Sequence, residues 1–143
     1  ELGVFRKLHQ LAVELGWYEG DPKGLLGQLD KELFRARRLV VDTGLHHKRW
    51  SREKTIAWMT AATGRSTGAI TSEVDRYCAS PGQACGYKVG HTEIVRLRET
   101  AKAALGAKFD WKSFHDMVIG GGSMPLPVLE ARVRAWIATQ TKS

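Results

Sequence analysis

The sequence predicts an all-α protein, a multi-helix bundle, on three observations. Apolar residues recur at spacings of three and four along most of the chain, as they do in helices that are buried on one face. Capping residues and glycine or proline stops divide this pattern into segments, and no stretch alternates with the period of two that marks a strand. The 143 residues, 43% of them hydrophobic, suit a single helical domain with a substantial core, or a piece of a larger chain.

The first two predicted helices occupy the N-terminal third of the chain. The first ends at Gly16, and its expected buried stripe comprises Leu2, Phe5, Leu8, Ala12 and Leu15. Asp21 and Pro22 open the second in the order that helices prefer, a cap followed by proline in the first turn. Its expected buried stripe comprises Leu26, Leu29, Leu33, Ala36 and Val40.

Caps and breakers also delimit the remaining helices. Ser51 and Asp110 are typical N-caps, Pro81 ends a helix, and the Gly-Gly-Gly-Ser run at 120–123 is a flexible break. Helices are therefore expected over about residues 51–63, 66–77, 81–106, 110–118 and 125–137.

Glycine recurs every fourth residue at the start of the predicted helix 81–106, and the glycines are Gly82, Gly86 and Gly90. Each costs a helix interior about 1 kcal/mol relative to alanine, so another helix or a ligand is expected to approach this stripe closely. A neighbouring polar stripe comprises Gln83, Tyr87 and His91. The pattern fits a helix that lines a binding cleft, and it fits tight helix packing beside an exposed polar edge.

A second candidate constellation lies on the helix that Asp21 opens. Arg38, Asp42 and His46 stand at i, i+4 and i+8, so they share a face if the helix continues past Gly44. A carboxylate beside a histidine fixes its tautomer, and His46 could then donate a hydrogen bond to a substrate. Two alternatives are a solvated ion pair and a histidine that satisfies the last carbonyl groups of the helix.

The net charge of +7 does not by itself indicate a nucleic-acid partner. The basic residues are spread over the chain, with one concentration that comprises Arg35, Arg37, Arg38, Lys48, Arg49 and Arg52. Those on the helix point in different directions, and no nucleic-acid motif accompanies them. We expect no nucleic-acid function. No apolar run reaches the length of roughly 18 residues that a membrane span needs, so no span is expected.

The two cysteines, Cys78 and Cys85, flank a predicted turn. A disulfide across the turn is conceivable, but two buried and unbonded side chains are the default expectation. No His-Glu-x-x-His motif, phosphate-binding loop or Gly-x-Ser-x-Gly elbow is present. From these residues alone we expect no metal site in this chain.

Several blocks, taken in order, resemble the C-terminal region of the bacterial family called domain of unknown function 885. The blocks are residues 38–46, 50–53, 72–77, 81–90, 109–116 and 125–130, and the resemblance extends from about Leu11 to Ala138. Members of that family look like gluzincin-type zinc peptidases of mostly helical architecture. The resemblance therefore implies the C-terminal part of a helical zinc-peptidase-like fold.

The resemblance also implies which parts are missing. The motif that supplies two zinc histidines and the general base would lie upstream of this chain. The family's third ligand lies in a Glu-Gly-Trp-Ala helix, near which Glu1 falls, but Leu2 and Val4 depart from that pattern. We expect a piece of a longer bacterial protein, cytoplasmic or exported, that lacks the N-terminal metal-binding half. Zinc is expected in the full-length protein and none in this chain.

The resemblance further implies roles for residues of both constellations. Tyr87 and His46 are the expected catalytic hydrogen-bond donors to an oxyanion. The expected substrate-binding residues are Arg38, Asp42, Gln83 and Lys88, where Asp42 orients its neighbours. The expected partner is a peptide substrate of the full-length protein, and exposed apolar surface would favour self-association of the chain alone. The alternative functions are a noncatalytic helical domain that binds a peptide or protein, and a basic module for an acidic surface.

Overall fold

A computed structural model describes residues 12–142. The described residues form α-helices and contain no strand, which confirms the prediction of an all-α multi-helix bundle. The chain divides into two compact units, one that ends at Val89 and one that begins at Gly90. The expectation of a single domain stays a prediction.

Within the described residues, the first unit contains a short helical stretch at residues 12–14, then three complete helices and the start of another. Their bounds are α1, Pro22–His46; α2, Arg52–Thr63; α3, Thr67–Ala79; and α4, Gln83–Leu105, which continues into the second unit. The predicted caps are present, because the side chain of Asp21 accepts a hydrogen bond from the Gly24 amide and that of Ser51 accepts one from the Lys54 amide. Short polar capping groups satisfy amides that the first helical turn leaves without partners.

The core of the first unit is built between α1, α2, α3 and the first turn of α4. α2 packs against α3, and α1 packs against both of them. The buried side chains are Phe34, Val41, Met59, Ile70, Val74, Tyr77 and Ala84. Tyr77 is the largest of these that is fully buried, so a phenol hydroxyl lies inside an otherwise apolar cluster and requires a hydrogen-bond partner.

The predicted buried stripe of α1 was wrong. Leu26 is 67% exposed, Leu29 53% and Leu33 49%, whereas the helix buries Phe34 and Val41. The face of α1 that packs against α2 and α3 is therefore not the leucine-bearing face that the apolar spacing predicts. The leucine face remains open among the described residues. Three residues of the predicted stripe of the first helix, Leu2, Phe5 and Leu8, lie outside the described residues. Of the two that are described, Ala12 is buried and Leu15 is 55% exposed.

The second unit consists of the rest of α4, a short 3-10 turn at Gly106–Lys108, α5 at Trp111–Ile119 and α6 at Leu126–Lys142. Asp110 caps α5 as predicted, through a hydrogen bond from the Ser113 amide. The helix α6 runs beyond the predicted end at residue 137. The core of this unit comprises Leu97, Ala101, Phe114, Leu129 and Val133.

The turn between α3 and α4 corrects two expectations. Gly82 lies in this turn with a φ of 80°, outside the helix that begins at Gln83, so its backbone conformation explains the glycine. The helix therefore carries Gly86 and Gly90 only, and a Cβ at either would meet no described atom within 4 Å. The cysteines are unbonded, but they are not buried, since Cys78 is exposed and Cys85 half-buried.

Candidate functional site

The helix α1 continues through Gly44 to His46, so its polar residues do share one face. The last turn of α1 requires a glycine at position 44, because the ring of Trp50 packs against it. A Cβ there would come within 2.7 Å of the ring. The Trp50 amide donates a hydrogen bond to the Gly44 carbonyl at 2.9 Å. The chain therefore turns back tightly after α1, and the last turn of α1 lies against the end of α3.

One carboxylate, that of Glu73 on α3, organises the polar contacts between α1 and α3. Its Oε2 accepts hydrogen bonds from Arg38 at 3.0 Å, Arg76 at 2.9 Å and the Tyr77 hydroxyl at 2.6 Å. Arg38 also donates from Nε to the Tyr77 hydroxyl at 3.0 Å. Charge-assisted hydrogen bonds of this kind are about twice as strong as neutral ones. The buried phenol of Tyr77 thus has both a donor and an acceptor.

Arg38 connects this network to the first turns of α4. Its guanidinium carbon lies 4.5 Å from the centre of the Tyr87 ring, within the range of a cation–π interaction. Gln83 contacts both ends of the network, because its Oε1 accepts a short hydrogen bond from Arg76 and its Nε2 donates to the Tyr87 hydroxyl at 3.3 Å. The bond from Arg76 therefore fixes the orientation of the Gln83 amide.

Arg35 lies one turn before Arg38 on α1 and completes the group. Its guanidinium donates to the Lys31 carbonyl at 3.1 Å, and its buried Nε has no hydrogen-bond partner within residues 12–142. Burial lowers the pKa of Arg35, the charge of Arg38 lowers it further, and Tyr87 opposes the change. We call the whole group the arginine–tyrosine cluster; it comprises Arg35, Arg38, Glu73, Arg76, Tyr77, Gln83 and Tyr87.

The pKa values of two cluster members reflect their surroundings. Burial and the hydrogen bond to Glu73 raise the pKa of Tyr77 to about 12. Burial acts to raise the pKa of Glu73, but the bonds from Tyr77 and Arg76 and the charge of Arg38 together lower it. At neutral pH the cluster therefore holds a neutral phenol and an ionised carboxylate.

Asp42 is buried next to the cluster, where it joins α1 to the turn before α4. Its Oδ1 accepts a hydrogen bond from the Gly82 amide at 3.0 Å, and its side chain is only 3% exposed. Burial raises the pKa of the nearby Cys85 thiol, and the carboxylate of Asp42 raises it further. Contrary to expectation, Asp42 contacts the backbone of the turn instead of orienting His46.

His46 and Lys88 lie at the edges of the same region. Nε2 of His46 is 3.0 Å from the Tyr77 carbonyl oxygen, which makes the imidazole a link between the ends of α1 and α3. Lys88 forms an ion pair with Glu32 at 3.7 Å. The structure thus brings Arg38, Gln83 and Tyr87 into one network, and it places the other predicted residues beside that network in contacts of their own. The predicted catalytic and binding roles stay predictions.

Four members of the cluster were not among the predicted site residues, namely Arg35 on α1 and three residues on α3. Glu73, Arg76 and Tyr77 stand at i, i+3 and i+4, so they share one face of α3. This spacing was a signal in the sequence, but it is also typical of ordinary solvated helix faces. An open groove of about 480 Å³ lies elsewhere, between α2 and α3, and its lining includes Ile56, Thr60 and Thr71 but none of the predicted site residues.

The described residues do not fit a catalytic zinc ion. Within residues 12–142 no group of three or more histidine, cysteine, aspartate or glutamate side chains is placed to hold a metal. Catalytic zinc requires three protein ligands and an open position. Glu1, the expected candidate for the third ligand, lies outside the described residues. No helix of the described chain is long and apolar enough to span a membrane.

Comparisons with known proteins show a matching family and a similar solved structure. The sequence profile of the family described as "Bacterial protein of unknown function (DUF885)" matches residues 8–133. A crystal structure of a protein from Colwellia psychrerythraea, provisionally described as a lipoprotein, superimposes with a TM-score of 0.85 at 54% sequence identity. The match covers 91% of this chain and 22% of that chain, so this sequence spans about a fifth of that protein. No curated protein matches. Because the family profile covers most of the sequence, the chain belongs to the DUF885 family.

Proposed function

We propose that this chain is the C-terminal wall of the substrate cleft in a zinc-dependent peptidase of the carboxypeptidase-like kind. In this proposal the chain binds the peptide and stabilises the oxyanion that forms at the attacked carbonyl group. The zinc ligands belong to other parts of the full-length protein, and the match to about a fifth of a longer relative leaves room for them.

The hydrogen-bond chain that ends at Tyr87 is the observation that carries the proposal. Arg76 donates to Gln83, and Gln83 donates to the Tyr87 hydroxyl oxygen. The oxygen of Tyr87 is thus occupied as an acceptor, and its own proton has no acceptor within the described part of the chain. Tyr87 can donate that proton to an oxyanion. A chain of donors polarised by a cation makes its last member a stronger donor.

The surroundings of Tyr87 support a bound peptide beside it. Gly86 precedes it on α4, and no described atom lies within 4 Å of the position that a Cβ would take there. A peptide backbone could therefore lie close to the helix at this point. The guanidinium of Arg38 behind the Tyr87 ring adds positive charge near the place where negative charge would develop.

The test uses the full-length gene product and a set of fluorogenic peptides. We expect zinc-dependent hydrolysis that a chelator abolishes and added zinc restores. Tyr87→Phe should lower kcat by roughly two orders of magnitude, the usual effect of losing one oxyanion donor, while KM changes much less. Tyr18→Phe, which removes a hydroxyl outside the cluster, is the matched control. A Tyr87→Phe variant with the kcat of the unmodified protein would contradict the proposed role.

The alternative function is a noncatalytic helical domain that binds a peptide or a protein. The open space at Gly86 and the cation–π contact of Arg38 with Tyr87 suit a bound peptide whether or not the protein hydrolyses it. If the full-length protein shows no zinc-dependent hydrolysis but its peptide affinity falls in Tyr87→Phe, this alternative replaces the peptidase.

A further inference from the structure

We propose that the guanidinium groups of Arg35, Arg38 and Arg76 form a binding site for a carboxylate group of the bound peptide. The inference rests on the proposed function, since that function makes the ligand a peptide. It assigns a specificity to the arginine–tyrosine cluster, namely for peptides that present a carboxylate next to Tyr87.

The charge balance of the cluster is the first argument. Two of its three guanidinium groups, those of Arg38 and Arg76, share one carboxylate, that of Glu73. The guanidinium of Arg35 bonds to a backbone carbonyl instead. Arg38 is the most enclosed of the cations in these ion pairs, with a side chain that is 12% exposed. Partly buried charges are stable when they are paired. The cluster thus contains three positive charges and one negative charge, which leaves a net charge of +2 within the cluster.

The position of Arg35 is the second argument. It lies three residues before Arg38 on α1, so the two cations are neighbours on one helix face. The only hydrogen bond of its guanidinium within residues 12–142 goes to a backbone carbonyl, that of Lys31, and not to a carboxylate. Two like charges side by side repel each other. An anion that contacts both would remove this repulsion, and the planar guanidinium fork matches a carboxylate in geometry.

The arrangement of the remaining members gives the third argument. Glu73 and Gln83 hold Arg76, and Glu73 and Tyr77 hold Arg38, so both cations are oriented before a ligand arrives. Preorganised donors lose less freedom when a ligand binds. A carboxylate next to Tyr87 could come from the C-terminus of the peptide or from an aspartate or glutamate side chain, and the test separates these sources.

The experiment measures equilibrium binding to the chelator-treated full-length protein by calorimetry, so that no hydrolysis occurs. Three N-acetylated tripeptides serve as probes: an apolar one with a free C-terminal carboxylate, the same peptide as its C-terminal amide, and an amide whose last residue is glutamate. Inorganic phosphate is the fourth probe. We expect a peptide with a carboxylate to bind at least tenfold more tightly than the apolar amide. Tighter binding of the free C-terminal acid would identify the peptide C-terminus as the source of the carboxylate. Tighter binding of the glutamate amide would identify an acidic side chain.

The variant Arg35→Gln should weaken binding of the preferred carboxylate peptide roughly tenfold or more, the scale of a charge-assisted hydrogen bond, and leave the apolar amide unaffected. Arg76→Gln should also weaken the carboxylate peptide roughly tenfold or more, and it should weaken the apolar amide by a smaller factor, because Arg76 also orients Gln83 beside Tyr87. Arg52→Gln is the matched control, because Arg52 pairs with Asp75 outside the cluster and the same charge is removed. Circular dichroism reports whether each variant is folded. The comparison of acid with amide on the unmodified protein decides the question even if a variant unfolds.

Equal binding of all three peptides would overturn the inference, as would phosphate that binds as tightly as the preferred peptide, or an Arg52→Gln effect equal to those of the cluster variants. The result is separable from the test of the proposed function. Zinc-dependent hydrolysis without carboxylate preference leaves the peptidase and removes this inference. Carboxylate-selective binding without any hydrolysis supports the site and removes the peptidase.

Discussion

Glu73 is the residue on which the candidate site depends most directly. Its single Oε2 accepts hydrogen bonds from Arg38, Arg76 and Tyr77, which come from two helices. Removing one partner from such a network leaves buried polar groups unsatisfied. The orientation of Arg38 behind Tyr87 therefore depends on Glu73.

The raised pKa of Tyr77 predicts a loss of stability at high pH. Its pKa is about 12 in the folded chain, against an ordinary value of 10.0. A raised pKa means that the stabilisation is complete below about pH 10 and is lost as the pH rises toward about 12, because the unfolded chain releases the proton first. The loss is about 3 kcal/mol for a shift of this size.

Urea unfolding at several pH values between 8 and 12 measures this effect, taken as the difference between the unmodified chain and Tyr77→Phe. We expect the unmodified chain to lose more stability above about pH 10 than the variant does. The variant is already less stable at pH 8, since it lacks the hydroxyl that donates to Glu73. Identical pH dependence in both proteins would show that Tyr77 is not the group responsible.

At the scale of the element, α1 exposes an apolar stripe. Leu26, Leu29, Leu33 and Val40 are 67%, 53%, 49% and 44% exposed. Their spacing, with Ala36 between them, is the a and d pattern of helices that pack side by side. Exposed apolar surface of this extent is typical of an interaction face.

We predict that the chain alone self-associates through this stripe of α1. Leu29→Gln together with Leu33→Gln should shift sedimentation toward the monomer with little loss of stability, because both side chains are already about half exposed. Val128→Gln is the matched control, since Val128 is 53% exposed and lies on α6, which belongs to the other unit. Self-association that survives the double substitution, or that the control removes equally, would contradict the prediction.

The start of α4 allows a test in which stability and binding change in opposite directions. Gly86→Ala should stabilise the chain by up to about 1 kcal/mol, because alanine suits a helix better and has open space there. Under the proposed function the same methyl group narrows the path of the peptide and weakens its binding.

Gly68→Ala is the control for this substitution, because Gly68 lies in the first turn of α3 and also has open space around it. It should stabilise the chain by a similar amount without affecting peptide affinity. Thermal unfolding and peptide titration of both variants give the two readings. If Gly86→Ala binds peptide as tightly as the unmodified protein does, no ligand lies close to Gly86.

The helix boundaries could be predicted from the sequence because their causes are local. Asp21, Ser51 and Asp110 cap helices through bonds to amides three residues away. The buried face of α1 could not be predicted in this way. Leucine spacing indicates a face that is able to pack, but it does not show which face does pack. Phe34 and Val41 are buried because they contact residues of helices that lie much later in the sequence.

The same distinction separates the predicted part of the site from the part that was missed. Arg38, Gln83 and Tyr87 stand out as polar residues at regular helical spacing. The importance of Glu73 comes from its bond to Arg38, 35 residues away in sequence. Nothing in the local pattern distinguishes such a carboxylate from one that is exposed to solvent, such as Asp75 two residues later, whose partner is Arg52.

At the scale of the whole molecule, each unit has its own core. The cluster lies entirely within the unit that ends at Val89, which buries Phe34, Met59 and Tyr77. The other unit buries Leu97 and Phe114, among others. The residues proposed to contact a peptide are therefore held by the helices α1 and α3 and the start of α4, all within the first unit.

The last prediction is that the 143-residue chain alone binds no catalytic zinc and hydrolyses no peptide. Such a site needs three well-placed ligands, and within residues 12–142 no group of three candidate side chains is placed to hold a metal. Calorimetric titration of zinc into the chelator-stripped chain should show no stoichiometric submicromolar binding, whereas the full-length protein, treated identically, should bind zinc and regain activity. Replacing His46 with glutamine in the chain alone should not change the titration. Tight stoichiometric binding accompanied by hydrolysis in the chain alone would place the metal chemistry within this sequence and contradict the division of roles that we propose.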